Sequence, residues 1–263
     1  MEWLLEMKFH YGLLGKFFGE VGEIIGTQPD GTTAPVQVFS VPQLPLYLIM
    51  LGWAVVSYLL GSLNFAVIWS KLLYHEDIRD RGSKNPGSTN MLRVYGKKAA
   101  ILTFVCDLLK GVAAAGLGQL FGGMSCGYVA GLFCVLGHCF PAFYRFKGGK
   151  GVATAFGVVT VLEPAVGVIA FIVFIGIVLL GRYVSLGSVM ATIVYPMILD
   201  GAFKVLYPSD YLVPEASPFA LPMLVAICIM LVVLVRHLPN IKRLYRGEES
   251  KIEWHRKKNE DES

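Results

Sequence analysis

Apolar residues in this chain come in long runs and do not alternate with polar ones. An α-helix needs about 20 apolar residues to cross the hydrocarbon core of a bilayer. Residues 44–70, 99–121, 127–144, 152–181, 186–206 and 219–235 meet or approach that length. The fourth run is interrupted by Glu163-Pro164. Proline disfavours helix at the residue before it, so this run reads as two short helices meeting at a corner. The pattern predicts an all-α integral membrane protein with seven transmembrane helices. It divides the chain into a leader at 1–45, a seven-helix membrane domain at 46–250 and a charged tail at 251–263.

Composition agrees. Of 263 residues, 55% are hydrophobic and only 16% are charged, against about 25% charged in a soluble domain. That leaves too little polar surface to clothe a water-soluble globule. The five cysteines, Cys106, Cys126, Cys134, Cys139 and Cys228, all lie in or beside apolar runs, and no CxxC pair occurs. They read as buried small hydrophobes, so no disulfide and no metal site is expected. No basic segment precedes the first apolar run, so no cleavable signal peptide is expected.

Charge sets the orientation. Seven Lys and Arg lie in 71–98, three in 145–150, one at Arg182 and eight from Arg236 onward, 19 of the 23 in the chain. With seven spans these segments all fall on one side, and Lys8, Lys16 and Lys204 fall on the other. Basic residues concentrate on cytoplasmic loops, which predicts an external N-terminus and a cytoplasmic C-terminus. The net charge of +4 is therefore a topology signal, and no nucleic-acid motif accompanies it. Residues 1–26 mix Trp3, Leu4, Leu5, Phe9, Leu13, Leu14, Phe17 and Phe18 with Glu and Lys, a pattern that suits an interfacial helix. Residues 27–45 read as a linker.

Three stretches on the basic side carry candidate chemistry. Residues 82–93 read Gly-Ser-Lys-Asn-Pro-Gly-Ser-Thr-Asn-Met-Leu-Arg. Ser83, Asn85, Ser88, Thr89 and Asn90 offer neutral donors just before a helix, whose N-terminus binds anions through free N–H groups. Arg93, about one turn inside, offers a planar fork to a phosphate. Residues 147–154 read Lys-Gly-Gly-Lys-Gly-Val-Ala-Thr. There Lys147 and Lys150, with Gly148, Gly149 and Gly151, can gather ammonium and backbone N–H groups on one anion. The Walker A spacing is absent, which disfavours a nucleotide hydrolase. Residues 236–249 put His237 and Asn240 three apart, on one helical face, followed by Glu249. Arg236, Lys242, Arg243 and Arg246 are accounted for by membrane anchoring. Arg182-Tyr-Val-Ser-Leu-Gly-Ser188 can place a hydroxyl at the same surface. Within the second span, Asp107 and Lys110 read as a structural ion pair. His75 and Asp80 have the His-x4-Asp spacing of soluble-type acyltransferases but lack the small residues that usually surround it.

The stretches Tyr58-Leu-Leu-Gly-Ser-Leu-Asn-Phe, Gly82 to Asn90, Gly137-His-Cys-Phe-Pro-Ala-Phe, Phe146 to Thr154, Arg182 to Leu186 and His237-Leu-Pro-Asn-Ile-Lys-Arg-Leu resemble, in order, the PlsY glycerol-3-phosphate acyltransferases of bacteria. The resemblance covers about residues 46–252. It implies an enzyme of phospholipid synthesis in the bacterial inner membrane. Such an enzyme transfers a fatty acyl group from acyl phosphate to the sn-1 hydroxyl of glycerol 3-phosphate, giving lysophosphatidic acid and phosphate. It implies no cofactor, and a separate enzyme upstream that makes acyl phosphate. By position, Ser83 and Arg93 match the family's essential serine and arginine. Lys150 with its glycines matches the glycerol-phosphate loop. Ser188, His237 and Asn240 match polar residues of the active site, and Glu249 matches a structural glutamate. Two features depart from the family: the first 45 residues have no usual counterpart, and Lys84 stands where glycine is usual.

The expected chemistry follows. Two phosphates must meet at one acyl carbon, and Arg93 and Lys150 would neutralise and orient them. Ser83 has no evident base beside it, so direct attack is expected rather than an acyl-enzyme. The alternative from another class is a transporter of a phosphorylated solute. That would call for deep charges and inverted repeats, whereas the candidate ligands gather at one face and no repeat is seen.

Overall fold

The computed structural model describes residues 20–27, 33–40, 43–206 and 220–252. Its body is helical. The elements are α1 (Gln43–Gly61), α2 (Phe65–Tyr74), α3 (Ser88–Tyr95), α4 (Lys97–Cys139), α5 (Val152–Leu162), α6 (Pro164–Gly181), α7 (Val184–Leu206) and α8 (Ala220–Tyr245). Five stretches are long and apolar enough to cross a membrane: Leu44–Tyr74, Lys97–Tyr144, Pro164–Gly181, Val184–Leu206 and Ala220–Tyr245. Val152–Leu162 is apolar but shorter. On these helices Leu51, Ile101, Ile172 and Leu231 are each more than half exposed. A water-soluble surface avoids such continuous apolar exposure; lipid accepts it.

The leader departs from expectation. Glu20–Thr27 (β1) and Thr33–Ser40 (β2) form an antiparallel hairpin, with Glu20 opposite Ser40 and Thr27 opposite Thr33. A helix-like leader and a linker were expected over these residues. The β-branched content of Val21-Gly-Glu-Ile-Ile and Val36-Gln-Val favours strand, and Asp30-Gly31 between them is a hairpin signal. The interfacial helix expected in 1–26 and the charged tail lie, for residues 1–19 and 253–263, outside the described residues.

The run expected as one span over 44–70 is broken. The helix stops at Gly61 and restarts at Phe65, where Asn64 caps the new helix by accepting from Val67 N at 3.1 Å. The break frees the carbonyls of Gly61 and Leu63. Lys110, from inside α4, donates to both, at 3.0 and 2.7 Å. Its charge is balanced by Asp107 at 2.8 Å, and both side chains are buried. The structural reading of that pair is what the geometry carries: it satisfies backbone that lipid cannot.

α4 is two arms. Gly123 leaves the helical region with φ 78 and ψ −179, and the chain folds back on itself. In a straight helix Gly118 and Ala130 would lie about 18 Å apart, yet a Cβ on Gly118 would sit 2.7 Å from Ala130 Cβ. Small residues at this hairpin let the two backbones approach closely. Glu163 ends α5 and Pro164 opens α6, the corner that the sequence predicted. The main core lies between the second arm of α4, α5 and α8, around Tyr128, Val135, Val158, Ile229 and Val233.

Candidate active site

The first loop is built around Asn90. This residue is buried. Its Oδ1 accepts from Ser83 N at 2.8 Å, and its Nδ2 donates to Arg81 O at 3.0 Å and Ile78 O at 3.3 Å. An amide so fully engaged shapes the loop, and Asn90 also lines the cavity described below. Beside it, Asp77 is gripped by Arg79 at 2.7 Å. That hydrogen-bonded guanidinium holds the Asp77 carboxyl down at about 2. Lys84 adopts φ +60, the left-handed region that glycine occupies without a Cβ penalty.

α3 starts at Ser88 with Gly87 as its cap and no side-chain cap bond, so its first N–H groups stay open to a ligand. α5 starts the same way, capped by Gly151 at φ +83 with no side-chain bond. Between them runs the glycine loop. Gly149 N donates to His138 O at 3.1 Å. Arg236 Nε donates to Gly149 O at 2.9 Å and its Nη2 to Gly148 O at 2.5 Å. The guanidinium also faces the Phe140 ring at 5.5 Å. The sequence assigned Arg236 to membrane anchoring; it is instead the brace of the glycine loop.

On α8, His237 Nδ1 donates to Val233 O at 2.8 Å. A carbonyl is only an acceptor, so the neutral ring carries its lone pair on Nε2. Asn240 Nδ2 donates to Glu249 Oε1 at 2.6 Å, and Arg243 Nε to Glu249 Oε2 at 2.7 Å. Partial burial works against the charge on Glu249, but these hydrogen bonds outweigh it and hold its carboxyl below the usual range. Glu249 thus orients Asn240, leaving the amide oxygen for a ligand. Ile252 N donates to Arg182 O at 2.8 Å, which ties the segment after α8 across the start of α7. Ser188, buried on α7, gives its hydroxyl proton to Val184 O at 2.8 Å and keeps its lone pairs.

These parts enclose one cavity of about 1750 Å³. Every candidate site residue lines it except Gly149, which lies behind the wall. The volume exceeds the roughly 300–1,000 Å³ of a site for one small ligand, so two substrates fit. Arg93 and Lys150 both line it, and neither has a hydrogen bond or ion pair among the described residues. Burial pushes the Lys150 ammonium down to about 8; Glu249 opposes this, while Arg243, Arg236 and Arg93 add to it. Ser83 faces the cavity with no base on its hydroxyl among the described residues. Phe104, Val152, Phe174 and Ser188 are shared with a second, apolar slot of about 100 Å³ between α5, α6 and α7. His75 and Asp80 do not form a pair: His75 caps α2 and is absent from the cavity wall. Among the described residues no group of three or more His, Cys, Asp or Glu is placed to hold a metal.

Comparison with known proteins decides the family. The glycerol-3-phosphate acyltransferase model matches residues 51–247. The chain belongs to the glycerol-3-phosphate acyltransferase family. It is 43% identical over 207 residues to the glycerol-3-phosphate acyltransferase of Finegoldia magna, covering 79% of this chain and 97% of that one. Identity to glycerol-3-phosphate acyltransferase 2 of Bacillus anthracis is 40% over 201 residues, covering 75% of this chain and 96% of the other. Two crystal structures of PlsY, an integral membrane glycerol 3-phosphate acyltransferase, share the fold. The glycerol 3-phosphate form aligns with a TM-score of 0.69 at 39% identity, covering 78% of this chain and 96% of that one. The lysophosphatidic acid form aligns at 0.67 and 38%, covering 78% and 95%. This acyltransferase family thus accounts for the membrane-embedded helical body around residues 51–247, and the transporter reading finds no support.

Proposed function

We propose that this acyltransferase moves a fatty acyl group from acyl phosphate to the sn-1 hydroxyl of glycerol 3-phosphate, releasing lysophosphatidic acid and phosphate. The observation that carries the reading is the cavity itself. It is lined by Arg93 and Lys150, whose side chains have no partner among the described residues, and by two open helix N-termini, and it continues into an apolar slot. Helix N-termini and unpaired cations are what two phosphates need; the slot is what an acyl chain needs.

In this reading Lys150 and the glycine loop hold the glycerol phosphate. Arg93, Ser83, Asn85, Ser88 and Thr89 hold the phosphate of the donor. His237 Nε2 and the Asn240 amide oxygen orient the attacking hydroxyl, with Ser188 beside them. The hydroxyl oxygen attacks the acyl carbon, the carbon–oxygen bond to phosphate breaks, and the proton leaves with the donor's phosphate. No acyl-enzyme forms. The two arms of α4, with α1–α2 and α5 to α8, make seven crossings. The cavity faces the cytoplasm, the C-terminus lies inside and the N-terminus outside, in the inner membrane of a bacterium. A separate enzyme supplies the acyl phosphate.

Purified protein in detergent, given acyl phosphate and glycerol 3-phosphate, should release phosphate and form lysophosphatidic acid. No release, together with uptake of glycerol 3-phosphate into vesicles carrying the protein, would replace this reading with the transporter.

A further inference from the structure

Behind the glycine loop, His138 has a place that the reaction above leaves unused. It ends the second arm of α4, is 4% exposed, and still lines the active-site cavity. Its Nδ1 lies 2.9 Å from Lys110 Nζ. An ammonium has no lone pair to offer, so in this shorter contact Lys110 is the donor and Nδ1 the acceptor; the Asp107 carboxylate, the competing acceptor for an Nδ1–H, lies farther off at 3.4 Å. A neutral imidazole with its lone pair on Nδ1 carries its proton on Nε2. The arrangement is firm, because Lys110 is itself fixed by Asp107 at 2.8 Å and by the carbonyls of Gly61 and Leu63. The buried ion pair therefore does more than satisfy backbone: it sets the tautomer of a histidine.

The Nε2–H has no hydrogen-bond partner among the described residues, and Nε2 is not one of the sealed, unpartnered polar atoms of the interior. His138 lines the cavity beside the glycine loop, where a Cβ on Gly149 would collide with Nε2 and sit 3.0 Å from Pro86 O. Glycine at 149 is thus what lets the ring and the first loop close together. A donor left unmade in a buried site costs stability and is kept where a ligand completes it. In a cavity with unpaired cations, that ligand is an anion.

We propose that His138 is a further substrate-binding residue, its Nε2–H donating to a phosphate oxygen in the cavity with the donor tautomer imposed by Lys110. The inference deepens the acyltransferase reading and rests on it. Its neighbours on the glycine loop favour the phosphate of glycerol 3-phosphate; the phosphate of the acyl donor has the same chemistry.

The test uses full-length protein in detergent. His138→Phe keeps the ring volume and removes the donor; His138→Gln places an amide N–H near Nε2. His138→Phe should raise one phosphate substrate's KM by roughly tenfold to a hundredfold, with kcat changed less, and His138→Gln should recover most of that loss. A rise for glycerol 3-phosphate alone assigns the contact to the acceptor, and a rise for acyl phosphate alone to the donor. Because His138→Phe also removes an acceptor from Lys110 and can fail to fold, the wild-type protein labelled with 15N-histidine supplies a second readout. Long-range 1H–15N spectra should show His138 as the Nε2–H tautomer, with its Nε2 signal moving on addition of glycerol 3-phosphate or inorganic phosphate. An Nδ1–H tautomer, or an Nε2 signal indifferent to both phosphates, overturns the inference. So does an unchanged KM for both substrates in folded His138→Phe. An inactive wild-type protein would instead count against the proposed function, and the spectra would still decide the contact.

Discussion

The carbonyl oxygen of Gly148 accepts a hydrogen bond from Arg236 across 88 residues of chain. The same guanidinium holds Gly149 O, so one planar fork fixes two successive peptide groups of the loop that carries Lys150. A lysine at 236 offers a single point charge and cannot reproduce that fork. Arg236→Lys should therefore raise KM for glycerol 3-phosphate by about tenfold, the equivalent of one lost charge-assisted bond, while melting changes little. Steady-state kinetics at matched thermal stability checks it; an unchanged KM would return Arg236 to simple anchoring.

Lys150 makes binding sensitive to pH. Burial puts its folded pKa at about 8, below the ordinary 10.5. Only the charged form holds a phosphate, so KM for glycerol 3-phosphate should climb above about pH 8, by up to roughly tenfold per unit. Lys150→Met should start from a high KM and show no such climb. Stability has its own sign. Between about 8 and 10.5 the unfolded chain binds the proton and the folded chain does not, so this group favours folding more as pH rises through that window. KM measured from pH 7 to 9.5 for both proteins separates the two effects.

Asn90 should behave as a structural residue. Asn90→Ala removes three hydrogen bonds, two of them donated by Asn90 Nδ2 to the backbone carbonyls of Ile78 and Arg81. At about 1 kcal/mol for each ordinary bond, stability should fall by roughly 2–4 kcal/mol. Thermal melting in detergent reads this directly. A stable Asn90→Ala protein with a selective rise in acyl-phosphate KM would instead support the direct binding role that the sequence suggested.

The apolar slot should set how much acyl chain is gripped. It runs from Val152 and Ser188 at the shared mouth to Val159 and Tyr195. Seven residues of helix give it a depth of about 10 Å, less than the roughly 15 Å of one leaflet's hydrocarbon. Opening its far end with Tyr195→Ala should shift kcat/KM toward longer acyl phosphates. A chain-length series on both proteins tests it, and identical profiles would remove the acyl chain from this slot.

The features legible in the sequence were those written in contiguous residues. The runs of Leu, Ile and Val located the helices, Glu163-Pro164 located a corner, and the density of glycine, hydroxyl and cation marked the loops that line the cavity. What was missed depends on contacts between distant segments. Nothing in Arg236-His-Leu-Pro shows that the arginine reaches back to Gly148. Nothing local shows that Lys110 repairs a break at Ser62–Asn64, whereas the hairpin at Gly123 falls in the gap between the runs 99–121 and 127–144. Composition also does not show that Asn90 ties Ser83, Arg81 and Ile78 together. Residues 20–27 and 33–40 form strands that the linker reading did not foresee, although the β-branched residues flanking Asp30-Gly31 carried a strand signal.

The central claim is direct transfer between two phosphates held in one cavity. The sharpest measurement incubates purified protein with acyl phosphate alone, records its intact mass, and then adds glycerol 3-phosphate. The account predicts an unmodified protein mass, and phosphate and lysophosphatidic acid appearing one for one only after the acceptor arrives. A stable acyl adduct on Ser83 that glycerol 3-phosphate then discharges would contradict it.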